Sequence, residues 1–282
     1  MGRGKVATGW SLAKASWAVL KADRSLAIFP MLALVCAAVA SLLLGSVGVA
    51  VANGTGVKWL VLLFILAAIY VAVFFLVYFN VALAGAARLS IDGRDTSLRD
   101  GLAVARSRRK VIAGWALLEV GLGLLISAIG SLLGGGRGGA NPLSWVVGAA
   151  WSVASFFVIP VLALEGLGPR AALKRSVALV REHWGAGVVG RSGIGTVVFL
   201  VAGVPVLGMC VGVNALDKAH SSFTTPATVV LLIAVIAAFA LGKALGIIFR
   251  VELYHYATKG KLTGNFAQRD IDATFRHRGT TA

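Results

Sequence analysis

The sequence predicts an all-α membrane protein whose six transmembrane helices form three repeats, each consisting of a cytoplasmic surface helix and two spans. Three observations support this fold: an apolar composition, six long apolar segments, and a basic amphipathic pattern that occurs three times. Of the 282 residues, 58% are hydrophobic and 13% are charged, and the mean hydropathy is +0.88. Because soluble domains carry about 25% charged residues, this composition indicates that the bilayer is the solvent.

Six apolar segments reach the length of about 20 residues that crosses roughly 30 Å of hydrocarbon. We expect a transmembrane helix in each of them. The predicted spans are Leu26–Ala52, Trp59–Ala87, Val111–Leu133, Trp145–Leu167, Gly187–Val213 and Ala227–Phe249. Pro160 and Pro205 lie within spans and are expected to kink them, because proline removes a helical hydrogen bond.

One pattern of apolar and basic residues precedes the first, third and fifth spans. In each copy, apolar residues fall at i, i+4 and i+7, and two cations lie seven residues apart. On a helix these positions form a narrow apolar stripe with a basic edge, which is typical of a helix lying in a membrane surface. The cations of this membrane-surface set are Lys14, Lys21, Arg99, Arg106, Lys174 and Arg181.

We therefore expect amphipathic helices near residues 9–22, 97–109 and 169–183. Residues 1–258 are predicted to form one membrane domain, followed by a cytoplasmic tail at 259–282. The internal repeats would cover approximately 9–91, 95–167 and 169–258.

Local signals mark the boundaries of two of these surface helices. Asp92-Gly93 predicts a turn, after which Thr96 or Ser97 caps the second surface helix with Asp100 in its first turn. Pro169 is placed in the first turn of the third, where a missing N–H has no cost.

The links between spans differ sharply in charge. Three links contain only Lys58, Arg137 and Lys218, and two further cations lie within spans, so 22 of the 27 lysines and arginines lie on the other side. By the positive-inside rule, both termini and both long links are cytoplasmic, which indicates a multi-pass protein of the cell (plasma) membrane. Trp115, at the inner end of the third span, is interpreted as an interfacial side chain.

The net charge of +16 requires an anionic partner. Nucleic acid is disfavoured because no basic stripe is interleaved with base-stacking aromatic residues. The cations adjoin apolar spans, so the expected partner is the lipid bilayer, with anionic lipids at its cytoplasmic face.

Five polar residues fall inside predicted spans: Asn80, Glu119, Glu165, Arg191 and Lys243. Charged groups in hydrocarbon are costly, so these residues are a candidate polar site that faces the bundle interior. The structural alternative is that Lys243 extends to the inner surface, that Glu165 pairs with Arg191, and that Asn80 bonds a neighbouring helix.

Recognisable enzyme chemistry is missing from the sequence. It contains no HExxH, no nucleophile elbow and no spaced Cys/His set, so we expect no catalytic residues, no metal and no cofactor. Two functions remain open: a structural or accessory protein that binds lipid or a membrane partner, and a transporter or channel for ions or small solutes that uses the intramembrane polar residues.

Several short phrases resemble a family of uncharacterised six-span bacterial membrane proteins. They are Gly9-Trp10-Ser11-Leu12, Asp23, Phe29-Pro30, Asn80-Val81-Ala82-Leu83, Ile159-Pro160-Val161-Leu162, Gly168-Pro169, Leu173-Lys174-Arg175-Ser176, Gly264-Asn265-Phe266 and Phe275. The block from Pro160 to Trp184 is also distantly similar to the membrane domain attached to some glycerophosphodiester phosphodiesterases. The resemblance implies a fold and no activity, because the phosphodiesterase catalytic domain is not found in this sequence.

The predicted orientation can be tested by cysteine labelling. In a variant without Cys36 and Cys210, a membrane-impermeant thiol reagent applied from outside should label a cysteine placed at Thr55 or Ser221. It should not label one placed at Thr96 or Thr263 until the membrane is permeabilised. Labelling of the second pair in intact cells would reverse the orientation.

Overall fold

The computed structural model describes residues 16–21, 23–94, 96–132, 142–183 and 224–259. In these ranges the chain forms helices joined by turns, without a β-strand. After a helical segment at 16–21 and a 3₁₀ turn at Arg24–Ala27, the helices are α1 (Ile28–Thr55), α2 (Trp59–Ile91), α3 (Leu98–Ser107), α4 (Arg109–Leu132), α5 (Pro142–Ala154), α6 (Val158–Leu164), α7 (Pro169–His183) and α8 (Thr224–Lys259).

Five helical stretches are long and apolar enough to cross a membrane. They are Ser25–Thr55, Trp59–Ile91, Arg109–Ser131, Val146–Leu164 and Ala234–Lys259. For the described residues, the prediction of an all-helical fold with several helices able to span a membrane is therefore confirmed. The predicted span at Gly187–Val213 lies outside the described residues, so the total of six stays a prediction.

The chain divides into two compact units. The first contains Met1–Met31, Ala87–Asp95 and Ala186–Ala282, and in it the 3₁₀ turn packs against α8. The second contains Leu32–Ala86 and Thr96–Gly185, and in it α4 packs against α5 and α7, while α7 also packs against α5 and α6. The division of residues 1–258 into three repeats stays a prediction.

Burial is concentrated at one end of each described span. In α2, Val81–Ala84 are fully buried, whereas Trp59 at the other end is 63% exposed. In α4, Ile112 and Trp115 are buried and Leu125 is 54% exposed. The buried end is the one that adjoins the cation-rich segments, and we call it the basic end.

The other spans show the same gradient. Ile248 of α8 is fully buried and Val230 is exposed, and the buried Val158–Ala163 of α6 contrast with the exposed Val146 of α5. Helix–helix packing in each unit is therefore strongest near the basic ends, and the opposite halves of the helices offer apolar surface to lipid.

Two glycines allow close helix approach near the basic ends. A Cβ at Gly85 of α2 would lie 2.9 Å from side-chain carbons of Val104 in α3, and one at Gly114 of α4 would lie 2.9 Å from Pro169 Cγ. Any larger side chain at either position would force these helices apart. Gly130 and Gly246, by contrast, belong to GxxxG pairs and have open space around their Cβ positions.

The fourth predicted span is broken. Residues 155–157 form a turn between α5 and α6, and Pro160 follows in the first turn of α6. Proline cannot donate to the carbonyl four residues before it, and its ring collides with that carbonyl. The kink predicted at Pro160 is thus confirmed, in the form of a break upstream of the proline.

Ser176 of α7 satisfies the backbone groups that the break releases. Its hydroxyl donates to the Ala154 carbonyl at 2.6 Å and accepts from the Phe157 N–H at 3.0 Å. Ser176 is fully buried. Because an unpaired backbone group is costly in an apolar interior, this one side chain both closes the break and fixes α7 against it.

Replacing Ser176 with alanine should destabilise the fold. The change leaves two buried backbone groups without a partner, at a cost of about 1–3 kcal/mol each. The denaturation midpoint of the detergent-solubilised protein, followed by helical circular dichroism, should fall clearly.

Ser107→Ala is the matched control, since the exposed Ser107 hydroxyl donates to Val104 of its own helix. That variant should change stability by less than about 0.5 kcal/mol. Equal midpoints for the two variants would contradict the role assigned to Ser176.

Candidate functional site

The structure describes four of the five predicted intramembrane polar residues, and each belongs to a different helix. Asn80 lies in α2 and Glu119 in α4, and both are half-buried. Lys243 of α8 is exposed, with its Nζ 5.4 Å from the centroid of the Phe239 ring. Arg191 lies outside the described residues. A single polar site built from these residues stays a prediction.

Glu165, the remaining member of the set, is the C-terminal cap of α6. Its Oε1 lies 3.2 Å from Nε of Arg175 in α7, and both side chains are partly exposed. The sequence had offered Arg191 as its cation. The ion pair links the end of α6 to Arg175 of α7, ten residues later and directly before Ser176.

Gly166 follows Glu165 and ends the helix. Its φ of +66° is the left-handed conformation that glycine adopts readily, and its N–H donates to the Val161 carbonyl at 3.0 Å. The guanidinium of Arg108 lies directly on Gly166, where a Cβ would collide with Nη1 and Cζ. Gly166 therefore provides both the turn and the space that Arg108 occupies.

Arg108 separates α3 from α4. It has φ −100° and ψ 6°, and its N–H donates to the carbonyls of Val104 and Ala105. Its side-chain Nε is buried and has no hydrogen-bond partner in the described structure. We call Arg108, Glu165, Gly166 and Arg175 the inner-turn cluster; its charge is two cations against one anion.

The α3 segment before Arg108 begins with the predicted cap. The Asp100 carboxylate accepts from both the N–H (2.9 Å) and the hydroxyl (2.8 Å) of Ser97. These hydrogen bonds, first that of the hydroxyl, lower the pKa of Asp100 below its ordinary value. The helix starts predicted at Ser97 and at Pro169 of α7 are both confirmed.

The helices expected at the membrane surface share a pattern of burial. Ser16, Gly101 and Ser176 occupy the same register position and are all buried, as are Leu20, Ala105 and Val180 four residues later. The described membrane-surface cations are all exposed: Lys21, Arg99, Arg106, Lys174 and Arg181. Lys14 lies outside the described residues.

The buried side of these helices overlaps the apolar stripe of the sequence only in part. Leu20, Ala105 and Val180 belong to the stripe and are buried, whereas Trp17 belongs to it and is 50% exposed. In the first helix, Ser16 is buried beside the exposed Trp17.

The interpretation of Trp115 as an interfacial side chain is wrong. Trp115 is 1% exposed and stacks on Trp151 of α5, with ring centroids 5.5 Å apart and planes 7° from parallel. Its indole N–H has no hydrogen-bond partner in the described structure. The ring lies between α4 and α5, which pack together at the basic end of α4. The position of Trp115 along its span had suggested the membrane–water interface, but that position does not show that α5 covers the ring.

The sequence reasoning missed Arg108, Gly166 and Ser176 as structural determinants. A lone serine inside an amphipathic pattern looks like part of the polar face, and only the break in the helix opposite gives Ser176 its partners. Arg108 is one of five consecutive basic or polar residues from Arg106 to Lys110, and nothing in the sequence distinguishes it from the others. Gly166 carried a signal, since glycine directly after an apolar run is typical of a helix end.

Among the described residues, no group of three or more His, Cys, Asp or Glu side chains could hold a metal ion. The inner-turn cluster carries an excess of positive charge and joins the end of α6 to α7 through the Glu165–Arg175 ion pair.

Comparison with known proteins identifies the family. The model of a family of unknown function (DUF6159) matches residues 57–265, which is most of the chain, so the chain belongs to this family. No curated protein matches the chain, and no solved structure matches it.

Proposed function

We propose that this member of a family of unknown function is a multi-pass plasma-membrane protein that acts as an accessory or structural protein and binds anionic lipid at the cytoplasmic face. In this proposal both termini are cytoplasmic, and the three amphipathic helices lie against the inner leaflet. The chain carries out no catalysis.

The observation that carries the proposal is the division of the surface helices into two faces. One face is buried through the positions of Ser16, Gly101 and Ser176, and the opposite edge carries exposed cations. A helix fixed to the bundle in this way cannot turn its basic edge away from the membrane surface. Each such cation contributes about 1 kcal/mol of attraction to an anionic leaflet.

Lipid selectivity tests this proposal. The protein is reconstituted in nanodiscs of phosphatidylcholine, and its preference for spin-labelled phosphatidylglycerol over spin-labelled phosphatidylcholine is measured. Neutralising Arg99, Lys174 and Arg181 together with glutamine should reduce the preference severalfold, and added salt should reduce it further, because exposed charges are screened.

The three cations of the predicted outer links, Lys58, Arg137 and Lys218, give a control with the same change in charge. Their replacement by glutamine should reduce the measured preference for phosphatidylglycerol much less. The proposal fails if wild-type protein shows no preference for the anionic lipid, or if both triple variants lose the preference equally.

One observation favours the second candidate function, a small-solute or ion transporter. The helix is broken between α5 and α6. In many transporters, a broken helix exposes backbone groups at the binding site. Glu119 lies on α4, which packs against α5. In this alternative, the carboxylate of Glu119 takes part in proton or cation passage.

Proteoliposomes test the alternative directly. If the chain transports protons or cations, an imposed gradient should decay faster with wild-type protein than with Glu119→Gln. Gln replaces the carboxylate with a group of the same shape, so a lost flux reports on charge. Equal decay for wild type, variant and empty liposomes would exclude this function for the ions tested.

A further inference from the structure

The guanidinium of Arg108 is held in one place by the surrounding backbone. It occupies the space beside Gly166 that the Cβ of any other residue at this position would fill. Its Nε is buried. A long side chain on a surface helix normally samples many rotamers, so this packing presents the charged group in a fixed orientation.

Arg108 has no counter-ion in the described part of the protein. The nearest carboxylate along the turn, Glu165, pairs with Arg175 at 3.2 Å. Arg108 Nε makes no hydrogen bond. Because Nε is held against the protein, an anion would pair with the terminal nitrogens of the guanidinium and would compensate a charge that has no counter-ion among the described residues.

Further cations surround this position. Arg109 and Lys110 follow Arg108 directly, Arg170 comes four residues after Gly166, and all three are exposed. Gly114, one turn further along α4, contacts Pro169, so the start of α4 lies beside the start of α7. The turn therefore carries an excess of positive charge, and it lies at the basic end of a candidate span.

We infer that Arg108, seated on Gly166 in the inner-turn cluster, binds the phosphate group of an anionic lipid headgroup. The planar guanidinium matches two phosphate oxygens, which a lysine ammonium cannot do. This inference rests on the proposed function and deepens it, because it assigns one lipid-binding site of defined geometry within a basic surface that attracts anionic lipid in general. Inorganic phosphate offers the same chemistry, and the experiment separates the two sources.

Binding of phosphatidic acid to the full-length protein in neutral detergent micelles tests the site, with native mass spectrometry to count bound lipid across a concentration series. Arg108→Gln should raise the dissociation constant about tenfold or more, since hydrogen bonds to charged groups contribute about 1.5–3 kcal/mol. Arg108→Lys keeps the charge and loses the planar fork, so it should weaken binding almost as much.

Arg94→Gln is the matched control. Arg94 is exposed, lies outside both the membrane-surface set and the inner-turn cluster, and its replacement changes the net charge by the same amount. It should alter the dissociation constant by no more than about twofold, the effect of one screened surface charge. Each variant is compared only if its denaturation midpoint in neutral detergent remains close to that of wild type; Arg108→Lys keeps the test available if Arg108→Gln is unstable.

The outcomes distinguish a phosphate site at Arg108 from general attraction between the basic surface and anionic lipid. Equal weakening by Arg108→Gln and Arg94→Gln, or unchanged binding in both Arg108 variants, would overturn the site while leaving the lipid-surface function intact. A wild-type protein that binds phosphatidic acid no better than phosphatidylcholine would overturn both. Competition by millimolar inorganic phosphate that is lost in Arg108→Gln would retain the site and identify free phosphate as its ligand.

Discussion

The two hydrogen bonds of Ser176 are the interaction on which the second unit depends. A helix that breaks inside an apolar layer releases an N–H and a carbonyl that water cannot reach, and these groups must find partners within the protein. Ser176 supplies both from a different helix. The position of α7 follows from this requirement. With α7 fixed, Arg175 is brought to Glu165, and Pro169 is brought to Gly114, so the inner-turn cluster is assembled by the closure of the break.

A second constraint is the concentration of packing at the basic ends. In lipid the hydrophobic effect does not drive helices together, so association depends on close contact between small residues and on polar bonds. Gly85 and Gly114 supply the contacts, and Ser176 and the Glu165–Arg175 pair supply the bonds, all near the basic ends of spans. The opposite halves, rich in exposed side chains such as Leu42 and Leu63, need only be apolar. The protein thus places its specific interactions where its charge also lies.

Much of the architecture could be predicted from the sequence because it depends on local signals. The length of the apolar segments predicted the five described helices that could cross a membrane, and Pro160 predicted the kink. Ser97, Pro169 and the turn at Gly93 predicted where helices start. The candidate site could not be predicted in the same way. Glu165 was singled out for its cost in hydrocarbon, but its partner Arg175 lies on a helix whose rotation depends on Ser176. Trp115 was misplaced for a related reason: depth along a span says how far a residue lies from the surface, and says nothing about which neighbours cover it.

The break and the surface helix behave as one thermodynamic element. Separating α7 from the bundle would expose the Ala154 carbonyl and the Phe157 N–H at the same time as it separates Arg175 from Glu165. An anion that binds Arg108 only while Gly166 and α7 are in place must therefore stabilise the closed break by the free energy of its preferential binding. Linkage is reciprocal, so opening the break would release that anion with the same coupling energy. Anion binding at Arg108, as proposed, and order at the break would consequently be connected through the short turn from Glu165 to Pro169.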